Sequence, residues 1–354
     1  MCRKMGTVMH IEKAEFGKYC VAKVKLDSTS IEKLSSLPGY KKWVGRDLLF
    51  DPTSANISRI QKYWPDATWS DEAKPILEKY VDLLIEAENT RSAKVEVLPT
   101  NDDFKFKTKP FDHQRKAFYM SRDKEAFGLL MEQGTGKSKV IIDNAAYLYA
   151  NNKINALVVI APNGVHRNWL SKELPVHMPD WCPYESIYYK SGQNTIKKHK
   201  EKFDAVIGAE NCLKVFSFNV EAFVSSVAVF YMMKILSSHN VMLVVDESSR
   251  IKKPGAKRTK MITKFSKNAK YRRILTGTPV TKGPEDVYSQ FKFLDPNILG
   301  YDSFYSFRAR YCVMGGFDNR EIVSYQNIDE LTKNIEGHSF RVLKKDCLDL
   351  PKKI

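Results

Sequence analysis

Apolar and polar positions change their spacing part-way along the chain. In the first hundred residues they form short, mixed patterns. The run through Tyr19, Val21, Lys23 and Lys25 alternates, which predicts a half-buried strand. Ile31 to Leu37 predicts a helix, Pro38 and Gly39 a turn, and Trp43 to Phe50 a second strand. Ser54 to Tyr63 and Asp71 to Glu88 predict helices, so residues 1–97 read as a small mixed α+β domain. Residues 98–109, up to Pro110, carry prolines and charges without periodicity and predict a linker.

From Phe127 the apolar positions become continuous. Phe127 to Met131, Ala156 to Ala161, Ala205 to Gly208, Met242 to Val245 and Ile274 to Leu275 are short runs separated by helical stretches. Strands buried on both faces read this way, so residues 110–354 predict an α/β unit with a doubly wound parallel sheet.

Composition narrows the function classes. The 354 residues, 43% hydrophobic and 28% charged, suffice for two domains with real cores. Lys and Arg number 57 against 41 Asp and Glu, a net charge of +16 that favours a polyanionic partner, with solubility as the plainer alternative. The six cysteines are scattered without metal-ligand spacing, so neither a zinc site nor a disulfide framework is expected. Ala222 to Met233, the longest apolar stretch, holds two serines and is bounded by Glu221 and Lys234. No membrane association is expected, and an intracellular location follows, in the cytoplasm or on a nucleoid.

Three segments carry candidate chemistry, each after a predicted strand. Gly134, Thr135, Gly136, Lys137 and Ser138 form a glycine loop opening a helix. Backbone amides there can face phosphates, Lys137 can reach the outer ones and Ser138 can ligate magnesium. Met131 stands where the stricter pattern has its first glycine. Asp246 and Glu247 end the run Val244, Val245; one acid suits the magnesium shell and the other the attacking water. Thr276, Gly277 and Thr278 put two hydroxyls beside a flexible glycine. Taken singly, the three also read as a turn, a helix cap and another turn.

In series, they resemble motifs I, II and III of superfamily-two helicases. Further residues narrow the likeness to Swi/Snf-type DNA translocases: Ala161, Pro162 and Asn163 with Asn168, Trp169 and Glu173, then Asp246 to Lys252. Leu294, Asp295 and Pro296, Phe304 to Arg308, and Arg341, Lys344, Asp346, Leu350, Pro351 and Lys353 extend it. The resemblance covers residues 110–354 and implies a RecA-like P-loop lobe using ATP and Mg2+. By it, Gln114 reads adenine, Gly134 to Ser138 hold the phosphates, and Ser138 and Asp246 hold the metal. Glu247 is the catalytic base, and Thr276, Gly277 and Thr278 couple nucleotide state to DNA. Phe111 or Arg115 would flank the base, although Phe111 taken alone reads as a core residue. Ser249 replaces the family's histidine and puts the usual link between motifs II and III in question.

Between Ser248 and Arg273 eleven basic residues occur with no acid, among them Arg250, Lys252, Lys253, Lys257 and Arg258. Such a cluster suits sequence-independent contact with the backbone of duplex or branched DNA. The first hundred residues resemble HARP-type modules through Leu37 to Tyr40 and Trp43, implying an accessory DNA-binding domain. Trp43, Trp64 and Trp69 would stack on bases there or fill a core. The family's motor has a second lobe, for which the sequence shows no strands; it would come in cis or in trans. The expected function is a DNA-dependent ATPase motor, weakly active as this chain alone. The rivals are a nucleotide-gated DNA-binding protein without motor action and the motor of a restriction or RNA-remodelling complex. By analogy, a compact phage or bacterial factor is one setting.

Overall fold

The fold is described from a computed structural model covering residues 9–14, 19–24, 27–93, 103–190, 192 and 197–347. Leu350, Pro351 and Lys353, and residues 98–102 of the expected linker, lie outside the described residues. The chain forms two compact units, one of residues 1–89 with 295–337 and the other of residues 90–294 with 338–354.

The first unit begins with β1 (Met9–Lys13), β2 (Cys20–Val24), α1 (Ser28–Ser35), β3 (Lys41–Val44), β4 (Asp47–Phe50), α2 (Ser54–Tyr63), β5 (Thr68–Trp69) and α3 (Lys74–Ala93). Strands β1 to β5 form one sheet in the order β3-β4-β2-β1-β5. Alternation puts Met9, Ile11, Cys20 and Ala22 on one face, where they meet Leu48 and Phe50 in the core. The stretch Trp43 to Phe50, expected as one strand, folds into the β3–β4 hairpin because Gly45, at φ +64°, makes the turn. Trp64 and Trp69 are buried in this core, which removes them as a stacking platform for bases.

The second unit continues with α4 (Asp112–Ser121), β6 (Ala126–Met131), α5 (Lys137–Ala150), β7 (Ala156–Ala161), α6 (Val165–Asn168), α7 (Leu174–His177), β8 (Tyr184–Tyr188) and α8 (Lys197–Gly208). Then come β9 (Leu213–Asn219), α9 (Ser226–Ser238), β10 (Val241–Asp246), α10 (Lys257–Phe265), β11 (Tyr271–Leu275) and α11 (Val287–Leu294). Helices α12 (Pro296–Leu299) and α13 (Phe304–Tyr311), strands β12 (Cys312–Gly315) and β13 (Glu321–Tyr325), and helix α14 (Ile328–Glu336) belong to the first unit, and β14 (Ser339–Val342) returns to the second. Seven parallel strands run in the order β14-β6-β11-β10-β7-β9-β8. Every residue of β6, β7 and β10 is buried, as strands covered by helices on both faces require.

Three further features differ from the sequence expectation. Ala205 to Gly208 is the end of α8, where Phe203, Val206 and Ile207 are buried at helical spacing. The strand instead spans Leu213–Asn219, whose apolar run is interrupted by Lys214, Ser217 and Asn219. Residues 103–109 pack on the lobe, with the Phe104 ring 4.8 Å from that of Phe118 and Arg122 paired with Asp103 at 2.6 Å. Residues 295–337, expected within the lobe, join the first unit. Ser54 Oγ donates to Asn297 O at 2.5 Å, and a Cβ on Gly300 would stand 2.7 Å from Ala55 N, so only glycine permits that approach.

Candidate nucleotide site

Strand order brings the three candidate segments together. β11 lies between β6 and β10, and the parallel register pairs Leu275 with both Leu129 and Asp246. The loops that follow therefore leave the same sheet edge side by side, where open α/β sheets bind ligands.

β6 leads into the glycine loop. Gly134 and Gly136 adopt φ of +83° and +82°, and a Cβ on Gly136 would collide with the Gln114 side-chain amide. α5 starts directly after the loop, so its unpaired first-turn N–H groups face it. Lys137 Nζ donates to Met131 O at 2.9 Å and to Glu132 O at 3.3 Å. Met131 keeps its side chain in the core, so its departure from the glycine pattern does not fill the loop. Burial holds the Lys137 ammonium below the usual lysine range, with Lys344 adding repulsion and Glu247 and Asp246 opposing the shift.

Asp246 ends β10 as a nearly buried carboxylate held by two donors, Trp169 Nε1 and the Glu247 amide, each at 2.9 Å. Burial raises its pKa against the pull of those bonds and of Lys137. Trp169 lies in a π-helical turn, Trp169–Glu173, between α6 and α7. In that turn burial pushes the Glu173 carboxyl up, opposed by the nearby Ser138 hydroxyl. Glu247 takes a left-handed backbone, φ +48° and ψ +57°, unusual for a non-glycine residue. Burial, and next the neighbouring Asp246 charge, raise its pKa.

Thr276 N donates to Leu129 O at 3.2 Å, Thr278 N donates to Thr276 Oγ1 at 3.1 Å, and a Cβ on Gly277 would stand 3.1 Å from Glu132 Cα. The threonine loop thus lies against the glycine loop, with Thr276 buried and Thr278 exposed. The link questioned at Ser249 is made by its neighbour. Ser248 Oγ donates to Gln290 Oε1 at 2.6 Å, and Gln290 Nε2 donates to Pro279 O at 2.8 Å.

Other expected residues fare differently. Gln114 is buried, and its amide bridges Thr135 O at 3.1 Å and Phe111 N at 3.1 Å, fastening α4 to the loop. Phe111, read as core, is 60% exposed and stacks on His113, which leaves its ring open to the solvent beside Gln114. Arg250, Lys253 and Lys257 are exposed and Arg258 is half-buried. Lys252 is half-buried and paired with Asp286 at 3.2 Å. Arg273 leaves the basic surface altogether: it is fully buried and donates to the carbonyls of Ser121 and Lys124 at 2.6 and 2.7 Å. Sequence reasoning missed Glu132, whose carboxylate accepts from the Lys344 amide at 2.8 Å, His113, which donates to Thr135 O at 2.9 Å, and the bridging role of Gln290. Only adjacency to the glycine loop could have flagged Glu132.

Comparison with known proteins agrees with this geometry. Residues 108–354 match the SNF2-related domain. A Caenorhabditis elegans SWI/SNF-related matrix-associated actin-dependent regulator of chromatin subfamily A-like protein 1 homolog is 24% identical, over 94% of this chain and 47% of its own length. The Arabidopsis thaliana CHD3-type chromatin-remodeling factor PICKLE is 28% identical, over 63% of this chain and 16% of its own. The chain therefore spans less than half the length of either relative. The Sulfolobus solfataricus SWI2/SNF2 ATPase core in complex with dsDNA superposes with a TM-score of 0.52 at 21% identity, over 70% of this chain and 47% of that one, a likeness of fold. By the domain match, which takes in the phosphate loop, the acid pair and the threonine loop, the chain belongs to the SNF2-related domain family.

Proposed function

We propose that this chain is the first motor lobe of a DNA-dependent ATPase that moves on or remodels duplex or branched DNA. The observation that carries the reading is the convergence of the glycine loop, Asp246 with Glu247, and Thr276 to Thr278 at the ends of three adjacent strands. The solved SWI2/SNF2 core that shares the fold is described with double-stranded DNA, which supports DNA as the partner.

Each residue's task follows from its surroundings. Lys137 spends its ammonium on two loop carbonyls, weak partners that a phosphate oxygen would replace. Ser138 and Asp246 would hold Mg2+, which when bound neutralises charge on the phosphates. Trp169 keeps Asp246 aimed at that position. Glu247, its proton affinity raised by burial and by Asp246, is suited to take a proton from the attacking water. By the family resemblance Gln114 would read the base, with the exposed Phe111 beside it. Ser248, Gln290 and Pro279 connect the acid pair to the threonine loop, giving a route from hydrolysis to movement. Arg250, Lys253 and Lys257 offer cations to DNA phosphates. A second lobe, in cis or in trans, would supply arginine; such a residue is worth roughly 10³–10⁵ in rate.

The test is nucleotide binding and ATP hydrolysis by this 354-residue chain with and without duplex DNA or RNA. Binding with slow turnover, accelerated on adding a second lobe and stimulated by duplex DNA, is the expected result. Absence of nucleotide binding would refute the reading, and stimulation by RNA alone would move the function to RNA remodelling.

A further inference from the structure

We propose that Lys344 is a second phosphate-contacting cation of this nucleotide site, and that through it bound nucleotide grips the segment leaving β14. The inference rests on the proposed nucleotide site and adds to it a residue more than two hundred positions from the glycine loop.

The position of Lys344 is built by the sheet. β14 pairs with β6 in parallel, Val342 opposite Met131, and Glu132 N donates to Val342 O at 2.9 Å. Glu132 then turns its carboxylate onto the Lys344 amide at 2.8 Å. The second bond holds the Lys344 amide against the loop. The Lys344 Cε and Nζ atoms are the nearest neighbours of the space beside Gly134, at 3.3 and 3.5 Å from where a Cβ would project. Gly134, at φ +83°, leaves that space open.

Lys137 reaches the same loop, donating to the Met131 and Glu132 carbonyls. Among the described residues neither ammonium is in a salt bridge, and the Glu132 carboxylate is engaged with the Lys344 backbone amide. Two cations converging on one glycine loop repel each other until an anion lies between them. A polyphosphate has the charge and the length to meet both. Residues 343–347 follow β14 directly, so holding Lys344 on a phosphate restrains that stretch.

The experiment titrates wild type, Lys137→Ala, Lys344→Met and Lys344→Arg with a fluorescent ATP analogue in the presence of Mg2+, and with its ADP counterpart. Losing one charge-assisted phosphate contact should weaken binding about tenfold in Lys344→Met, while Lys344→Arg keeps most of the affinity. Thermal unfolding without nucleotide should show Lys344→Met at least as stable as wild type, because the substitution removes repulsion. Limited proteolysis should show nucleotide protecting residues 343–347 in wild type and not in Lys344→Met. Wild type that binds, Lys137→Ala that does not, and Lys344→Met that binds as tightly as wild type would overturn this inference and leave the nucleotide site standing. Equal loss in the Met and Arg variants would also overturn it, since charge would then be irrelevant. Wild type that does not bind would bring down the nucleotide reading and this inference with it.

Discussion

Trp169→Phe isolates a single hydrogen bond at the centre of the site. The indole N–H donates to Asp246 Oδ2 at 2.9 Å, Trp169 is 1% exposed and Asp246 is 7% exposed. Phenylalanine fills most of the indole volume but offers no donor. The buried carboxylate then keeps the Glu247 amide as a donor, and no water easily replaces the lost bond. A hydrogen bond to a charged, buried partner is worth about 1.5–3 kcal/mol, so a loss of about 2 kcal/mol is expected, to which the smaller ring adds a packing cost. In a unit of this size that corresponds to a fall in Tm of roughly 4–8 °C. The pH dependence separates the two costs. Burial already raises the Asp246 pKa in the folded state, so the unfolded chain loses this proton first and stability falls as pH rises through that window. Removing the indole donor raises the folded pKa further. The stability difference between wild type and variant should therefore be largest at neutral pH and shrink towards acid, where Asp246 is protonated in both. Urea unfolding at several pH values, with Asp246→Asn and the double variant completing a cycle, measures it. A difference independent of pH, or a coupling energy near zero, would refute the argument that this bond holds the carboxylate.

Three further outcomes are expected. Gly136→Ala should abolish binding of the ATP analogue and lower Tm, since a left-handed backbone costs a non-glycine residue about 1–2 kcal/mol and the new methyl meets Gln114; a titration matching wild type would contradict this. Asp143, paired with Lys139 at 2.8 Å, has its pKa pushed up to about 7 by burial, so it subtracts stability as pH climbs from the ordinary carboxylate range to about 7. Urea midpoints of wild type relative to Asp143→Asn should fall between pH 5 and pH 8, and a constant difference would count against the burial argument. Replacing the exposed Arg250 and Lys253 by alanine should lower the salt slope of duplex binding by roughly one per cation, whereas Lys252→Ala, already paired with Asp286, should change it less; an unchanged slope for the first pair would remove this face from the DNA interface.

The legible parts of the site were those whose residues are contiguous. Gly134 to Ser138, Asp246 with Glu247, and Thr276 to Thr278 each follow an apolar strand, and a loop's chemistry at a strand end is set by its own few residues. Strands buried on both faces announce themselves likewise, as Ala156–Ala161 does. Where a strand carries polar residues, as Leu213–Asn219 does with Lys214 and Ser217, the pattern fails and the neighbouring helix takes its place in the reading.

What the sequence determined alone was therefore the α/β class of the lobe, the three candidate segments and the family likeness, because all three are written in local runs. Tertiary structure decided the rest: that Trp169 holds Asp246, that Ser248 and Gln290 replace the link questioned at Ser249, that Arg273 is a buried strut, and that residues 295–337 belong with the first unit. It also decided that Lys344 meets the glycine loop. Each of these joins residues far apart in the chain, and such contacts depend on strand order and register, which no local spacing encodes.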